Sequence, residues 1–178
     1  MDRSPEWWTR QRIVGWSAAA ALFQAGLLAF LALWQFGVLH PVERVDPSDF
    51  VSFYAAGKLV WAGSPALAYD QAAHWLVEQR ETVFGAKYQF FFYPTVFLPL
   101  CAVLALLPYH VSMAAFQLGA LGLMLLALRA VLRPAGRFWW VPVLAFPPLY
   151  WNVGVGQNAF LTAALLAGFT VALDRRPA

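Results

Sequence analysis

Carboxylates are concentrated in one stretch of this chain. Six of its nine Asp and Glu residues lie between Glu43 and Glu81. Asp49 is the candidate for chemistry there, because a carboxylate at the edge of an apolar region can accept a proton from a hydroxyl group while that oxygen attacks another molecule. The alternative interpretation is that Asp46 and Asp49 only cap the start of a helix, which Asp does well. The residues alone leave both interpretations open.

Polar residues elsewhere could contribute to binding. Gln157 and Asn158 stand where an apolar segment begins, and amides in such a place are costly unless they find partners. They favour a binding site, although hydrogen bonding between packed helices would also explain them. Four basic residues could bind a lipid phosphate, or could simply face water and lipid headgroups: Lys58, His74, Arg80 and Lys87.

Sequence motifs for metal or cofactor chemistry are not found. The sequence has no Cys/His cluster, no His-Glu-x-x-His motif and no phosphate-binding glycine loop. Cys101 is the single cysteine, so the chain cannot form an internal disulfide. We therefore expect neither a metal ion nor a cofactor.

The composition indicates a membrane protein. Of the 178 residues, 61% are hydrophobic and 12% are charged, which suits a bilayer better than water. The net charge of +3 comes from basic residues scattered beside apolar runs, a pattern that membrane topology explains better than nucleic-acid binding does. We predict an all-α integral membrane protein whose residues 1–178 form a single membrane domain.

The apolar segments predict a topology. We expect four transmembrane helices, at 13–39, 109–131, 139–153 and 157–173, the third of them kinked by its prolines. The segment 94–108 is short for a crossing and is predicted to be a re-entrant or short helix. The arginines of the N-terminus, of the 129–137 loop and of the C-terminus then all face the cytoplasm, as the positive-inside rule favours. Loop 40–93 lies on the extracytoplasmic side.

This loop should carry two amphipathic helices on the membrane surface. For the first helix, Asp46 is the expected N-cap and Pro47 the first helical residue. Phe50, Phe53 and Trp61 recur at helical spacing and predict one apolar face. The second helix is predicted over roughly 70–84.

Several short motifs follow one another in a defined order. Asp49-Phe50-Val51-Ser52-Phe53-Tyr54-Ala55-Ala56-Gly57 precedes Ala62-Gly63, Ala68-Tyr69-Asp70, Phe92-Tyr93-Pro94, Leu106-Leu107-Pro108-Tyr109 and Gly156-Gln157-Asn158. This ordered set, spread over 46–176, resembles the bacterial glycosyltransferase family 87, formerly a domain of unknown function. Thr95 stands where many relatives have a second proline. Typical members are considerably longer, so the chain resembles their N-terminal half.

The resemblance implies a GT-C-like helical bundle in the bacterial inner membrane. It also implies transfer of mannose or another hexose from a polyprenyl-phosphate donor to a lipid or glycan acceptor on the extracytoplasmic face. Asp49 is the position that matches the family's catalytic aspartate. The candidates for substrate binding are Asp46, Tyr54, Lys58, Tyr93, Gln157 and Asn158, and those for phosphate binding are His74, Arg80 and Lys87. A non-catalytic membrane protein or subunit that binds polyprenyl lipids or partner helices is the alternative.

Overall fold

The computed structural model describes residues 9–35, 48–82, 87–132 and 136–174. Within these ranges the chain is helical and has no β-strand. The helices are α1 (Arg10–Gln35), α2 (Phe50–Trp61), α3 (Gln71–Glu81), α4 (Leu98–Leu104), α5 (Tyr109–Val131), α6 (Trp140–Leu144), α7 (Pro147–Val155) and α8 (Ala159–Asp174). Short 3₁₀ helices cover Pro65–Tyr69 and Thr95–Phe97. The all-α prediction is confirmed for the described residues.

Among the described residues, two helices are long and apolar enough to cross a membrane. They are the stretch Arg10–Leu31 within α1 and the whole of α5, Tyr109–Val131. Thr95–Leu104 and Ala159–Leu173 are apolar but shorter. The count of four transmembrane helices therefore stays a prediction.

The segment 94–108 contains the short helix α4. Helix α4 has 7 residues, which rise only about 10 Å, whereas a bilayer core is about 30 Å thick. The segment 139–153 contains two helices, because α6 ends at Leu144 and α7 begins at Pro147; a single kinked transmembrane helix stays a prediction. Pro147 has no N–H to continue the hydrogen bonds of α6.

Contacts between residues divide the chain into two compact units. The first contains the described residues of 1–32, 120–154 and 158–178. Its core consists of Ala120, Met124, Leu149 and Phe160. Arg10 lies against Gly136, and Leu28 lies near Gly154. Helix α1 therefore runs in the same direction as the segment 136–154.

The second unit contains the described residues of 33–119 together with 155–157. Helix α2 is its centre, and the prediction of a surface helix is wrong for α2. Phe50 and Phe53 are 0% and 1% exposed, and the small residues on the other sides of the helix are buried as well. Lys58 is the single charged residue of α2, and a helix that is apolar all round belongs in a core.

Gly57 lets α2 pass close to α4. A Cβ atom on Gly57 would lie 2.1 Å from the carbonyl oxygen of Cys101, so no larger residue fits without moving the backbone. Side chains also bind backbone carbonyl groups at the last residue of α4 and in the turn that follows it. The Tyr54 hydroxyl donates to Leu107 O at 2.8 Å, and the Ser112 hydroxyl donates to Leu104 O at 2.7 Å.

Candidate functional site

Asp49 is the residue immediately before helix α2. The helix begins at Phe50, three residues later than a start with Asp46 as N-cap and Pro47 as first helical residue would require. Asp46 and Pro47 lie outside the described residues. The side chain of Asp49 makes no capping hydrogen bond to α2. Asp49 therefore stands at the N-cap position of α2 without a capping hydrogen bond from its side chain.

The carboxylate of Asp49 is bound by Gln157. Gln157 Nε2 donates to Asp49 Oδ2, and the Tyr93 hydroxyl donates to Gln157 Oε1 at 3.4 Å. This orientation of the amide is the one expected, because a carboxylate can only accept hydrogen bonds. We call Asp49, Tyr93 and Gln157 the Asp49 cluster. All three residues belong to the second unit.

The backbone around Gly156 brings this cluster together. Asp49 N donates to Val155 O at 2.8 Å, so residues 155–157 lie directly against the start of α2. Gly156 has a φ of 73°, in the left-handed region that favours glycine. A Cβ atom there would lie 2.7 Å from Phe50 Cβ. Only glycine therefore allows both the turn and the close approach.

Helix α5 holds the other side of Gln157. Gln117 Nε2 donates to the backbone oxygen of Gln157 at 2.8 Å, and Gln117 is 4% exposed. Sequence reasoning missed Gln117 as a site residue. The sequence did contain an indication of its importance, because a polar amide in the apolar middle of a predicted transmembrane helix usually has a functional or packing role.

Aromatic rings surround Tyr93. The ring centroids of Tyr93 and Phe53 are 4.9 Å apart, and those of Tyr93 and Phe97 are 4.8 Å apart in a stacked arrangement. Burial, followed by the negative charge of Asp49, raises the pKa of Tyr93 above its ordinary value of 10.0. The phenol therefore stays protonated at neutral pH and remains a donor to Gln157.

One carboxylate oxygen of Asp49 is left for another partner. Oδ2 accepts the bond from Gln157, whereas Oδ1 accepts no hydrogen bond from the described residues. The residue is partly exposed. In this arrangement the Asp49 carboxylate can accept a proton from a hydroxyl group placed beside Oδ1. Among the described residues there is no group of three or more His, Cys, Asp or Glu side chains that could hold a metal ion.

Other predicted binding residues lie outside the Asp49 cluster. Tyr54 is buried with its hydroxyl on Leu107 O. The Lys58 ammonium lies 5.0 Å from the centre of the Tyr54 ring, where it makes a cation–π contact. Asn158 belongs to the first unit, where its backbone oxygen accepts the N–H of Thr162 at 3.1 Å.

The three phosphate-binding candidates occupy two kinds of environment. Arg80 and Lys87 are exposed and can meet an anionic group. His74 is fully buried, and its Nε2 lies 3.0 Å from the carbonyl oxygen of Ser52. A lipid phosphate has no access to His74 in this structure.

Comparison with known proteins identifies a family. The model of glycosyltransferase family 87 matches residues 91–178. The matched range includes Tyr93, Gln117 and Gln157, and it begins after Asp49. No curated protein and no solved structure matches the chain.

Proposed function

Since the chain belongs to glycosyltransferase family 87, we propose that it transfers mannose or another hexose from a polyprenyl-phosphate donor to a lipid or glycan acceptor. Asp49 is the general base, and the reaction takes place on the extracytoplasmic face of the bacterial inner membrane. The observation that carries the proposal is the Asp49 carboxylate, which binds Gln157 instead of capping α2.

The chemistry follows from the free oxygen of Asp49. An acceptor hydroxyl beside Oδ1 gives its proton to the carboxylate while its oxygen forms a bond to the anomeric carbon of the donor sugar. The bond between that carbon and the phosphate oxygen breaks, and the polyprenyl phosphate leaves with the electron pair. Gln157 keeps the carboxylate in place by donating to Oδ2. Tyr93 in turn fixes the orientation of the Gln157 amide.

A lipid-linked donor suits this molecule. Trp16 and Phe23 of α1 are 76% and 74% exposed, and large apolar side chains exposed in such numbers need an apolar environment. A polyprenyl chain dissolves in the same bilayer and presents its phosphate at the interface. Arg80 and Lys87 are exposed cations outside the predicted transmembrane segments, where each basic residue contributes about 1 kcal/mol to attraction of an anionic lipid group.

The donor class can be tested in proteoliposomes that contain the purified chain. We expect transfer of radiolabelled mannose to a lipid or glycan acceptor when it is supplied as polyprenyl-phosphate mannose, and none when it is supplied as a nucleotide sugar. Liposomes without protein are the control. Transfer only from the nucleotide sugar would contradict the proposed donor. Transfer from neither donor would favour the non-catalytic alternative, a membrane protein that binds polyprenyl lipids or partner helices.

A further inference from the structure

Helix α3 contains a buried pair of ionisable side chains that the Asp49 cluster does not include. His74 and Glu78 are 0% and 2% exposed and stand four residues apart, on one face of α3. His74 Nδ1 and Glu78 Oε1 lie 3.3 Å apart, and neither atom has a hydrogen-bond partner elsewhere among the described residues. A buried ionisable pair is costly to maintain, so its role needs an explanation.

The remaining polar atoms of the pair reach two different segments. His74 Nε2 lies 3.0 Å from Ser52 O in the first turn of α2, and the hydroxyl of Ser52 donates to Asp49 O at 2.9 Å. Glu78 Oε2 accepts the N–H of Gln89 at 3.0 Å. Gln89 lies in the same non-helical segment as Tyr93. The pair therefore connects the segment that carries Asp49 with the segment that carries Tyr93.

The geometry also fixes where one proton must lie. Ser52 O can only accept a hydrogen bond, so His74 Nε2 carries a hydrogen. A favourable contact between Nδ1 and Oε1 then needs one further proton, held either by an imidazolium facing a carboxylate or by a neutral carboxylic acid facing a neutral imidazole. Tyr88 and Phe91 pack their rings against the imidazole, with centroids at 5.6 Å and 5.9 Å, and separate the pair from water.

We propose that His74 and Glu78 are positioning residues for glycosyl transfer, which hold Asp49 and Tyr93 on either side of Gln157. This inference rests on the proposed function of the Asp49 cluster. Neither residue touches the substrate. Their effect passes through Ser52 to Asp49 and through Gln89 to Tyr93, so their loss should disturb the rate of transfer more than the binding of donor.

The test compares three variants in the proteoliposome assay. Glu78→Ala leaves both Gln89 N and His74 Nδ1 without a partner, and we expect kcat to fall about 10- to 100-fold with KM little changed, as for a small misplacement of a catalytic group. Glu78→Gln can accept from Gln89 and donate to His74, so it should restore most of kcat. Glu81→Ala removes an exposed carboxylate of the same helix and should leave kcat unchanged. Unchanged kcat in Glu78→Ala, or no recovery in Glu78→Gln, would overturn the proposal.

A second measurement separates this inference from the proposed function. Burial, followed by the charge of Asp49, raises the pKa of Tyr93, so the ultraviolet titration of Tyr93, obtained by subtracting the titration of Tyr93→Phe, reports whether Tyr93 keeps its buried place beside Asp49. We expect the Tyr93 pKa to fall in Glu78→Ala and to return in Glu78→Gln, whether or not transfer occurs from the tested donor. An unaltered Tyr93 pKa in Glu78→Ala would contradict the positioning role even if the proposed function holds.

Discussion

Gln157 joins two side chains that come from distant parts of the sequence. Its amide nitrogen binds Asp49 and its amide oxygen accepts from Tyr93, while its own backbone is bound by Gln117. An amide can serve both neighbours at once because it has a donor and an acceptor. We interpret Gln157 as the residue that keeps the carboxylate of Asp49 in one orientation.

Substitution of Gln157 should therefore affect the rate of transfer. We expect Gln157→Ala to lower kcat about 10- to 100-fold, because the carboxylate becomes free to rotate away from the acceptor hydroxyl. Steady-state kinetics with polyprenyl-phosphate mannose is the measurement. Gln24→Ala is the matched control, since Gln24 donates only to backbone oxygens in the first unit. Equal losses of kcat in Gln157→Ala and Gln24→Ala would mean that the substitutions act on folding and not on the orientation of Asp49.

The members of the Asp49 cluster could be named from the sequence, but their arrangement could not. Asp49, Tyr93 and Gln157 stand out as polar residues at the edges of apolar segments. Whether Asp49 caps a helix or binds another side chain depends on the approach of residues 155–157, which is a tertiary contact. His74 was a phosphate-binding candidate in the sequence, but it is buried. Its burial could not be predicted, because it depends on the packing of α3 against α2 and against the segment that contains Phe91.

At the scale of elements, the turn at Gly156 matters most for the site. Gly156→Ala would force a side chain into a backbone conformation with positive φ and against Phe50. We expect this variant to move residues 155–157 away from Asp49 and to lower kcat by at least about tenfold, while the helical circular dichroism signal is retained.

The matched control for Gly156→Ala is Gly122→Ala in α5. A Cβ atom on Gly122 would meet nothing within 4 Å, and alanine is favoured over glycine inside a helix. Gly122→Ala should keep the activity of the unmodified chain. An active Gly156→Ala variant would mean that the close approach to α2 is unnecessary for the site.

Helix α2 shows what the spacing of apolar residues can and cannot predict. The spacing of Phe50, Phe53 and Trp61 correctly indicated a helix with large apolar residues. The surface location did not follow, because Val51, Ala55 and Ala56 make the other sides apolar too, and a helix of that kind is buried. The close crossing of Gly57 over Cys101 depends on α4 and cannot be derived from α2 alone.

At the scale of the whole molecule, the all-α class is the part of the predicted fold that the described residues confirm. The described residues form helices without strands, and α1 and α5 each contain a long apolar stretch. Arg10 lies beside Gly136, so Arg10 and Arg137 are at the same end of the first unit. The predicted topology, in which both arginines face the cytoplasm, stays a prediction. The division into two units was not foreseen, because it depends on contacts between distant residues.

We propose Asp49 as the general base of the sugar transfer. Asp49→Asn keeps an oxygen that can accept the bond from Gln157 and removes the group that accepts the proton. Asp70→Asn is the matched control, because Asp70 does cap its helix through a bond from Ala73 N at 2.8 Å, and Asn caps about as well as Asp. A difference between the two variants therefore separates chemistry from capping.

The decisive measurement is the transfer of radiolabelled mannose from polyprenyl-phosphate mannose in membranes that contain equal amounts of the unmodified chain and of each variant. We predict that Asp49→Asn lowers the rate about 100- to 10,000-fold, the usual effect of losing a general base, while Asp70→Asn stays within about twofold of the unmodified chain, because the cap is preserved. Undiminished transfer by Asp49→Asn, or an equal loss in both variants, would contradict the assignment of Asp49 as the base.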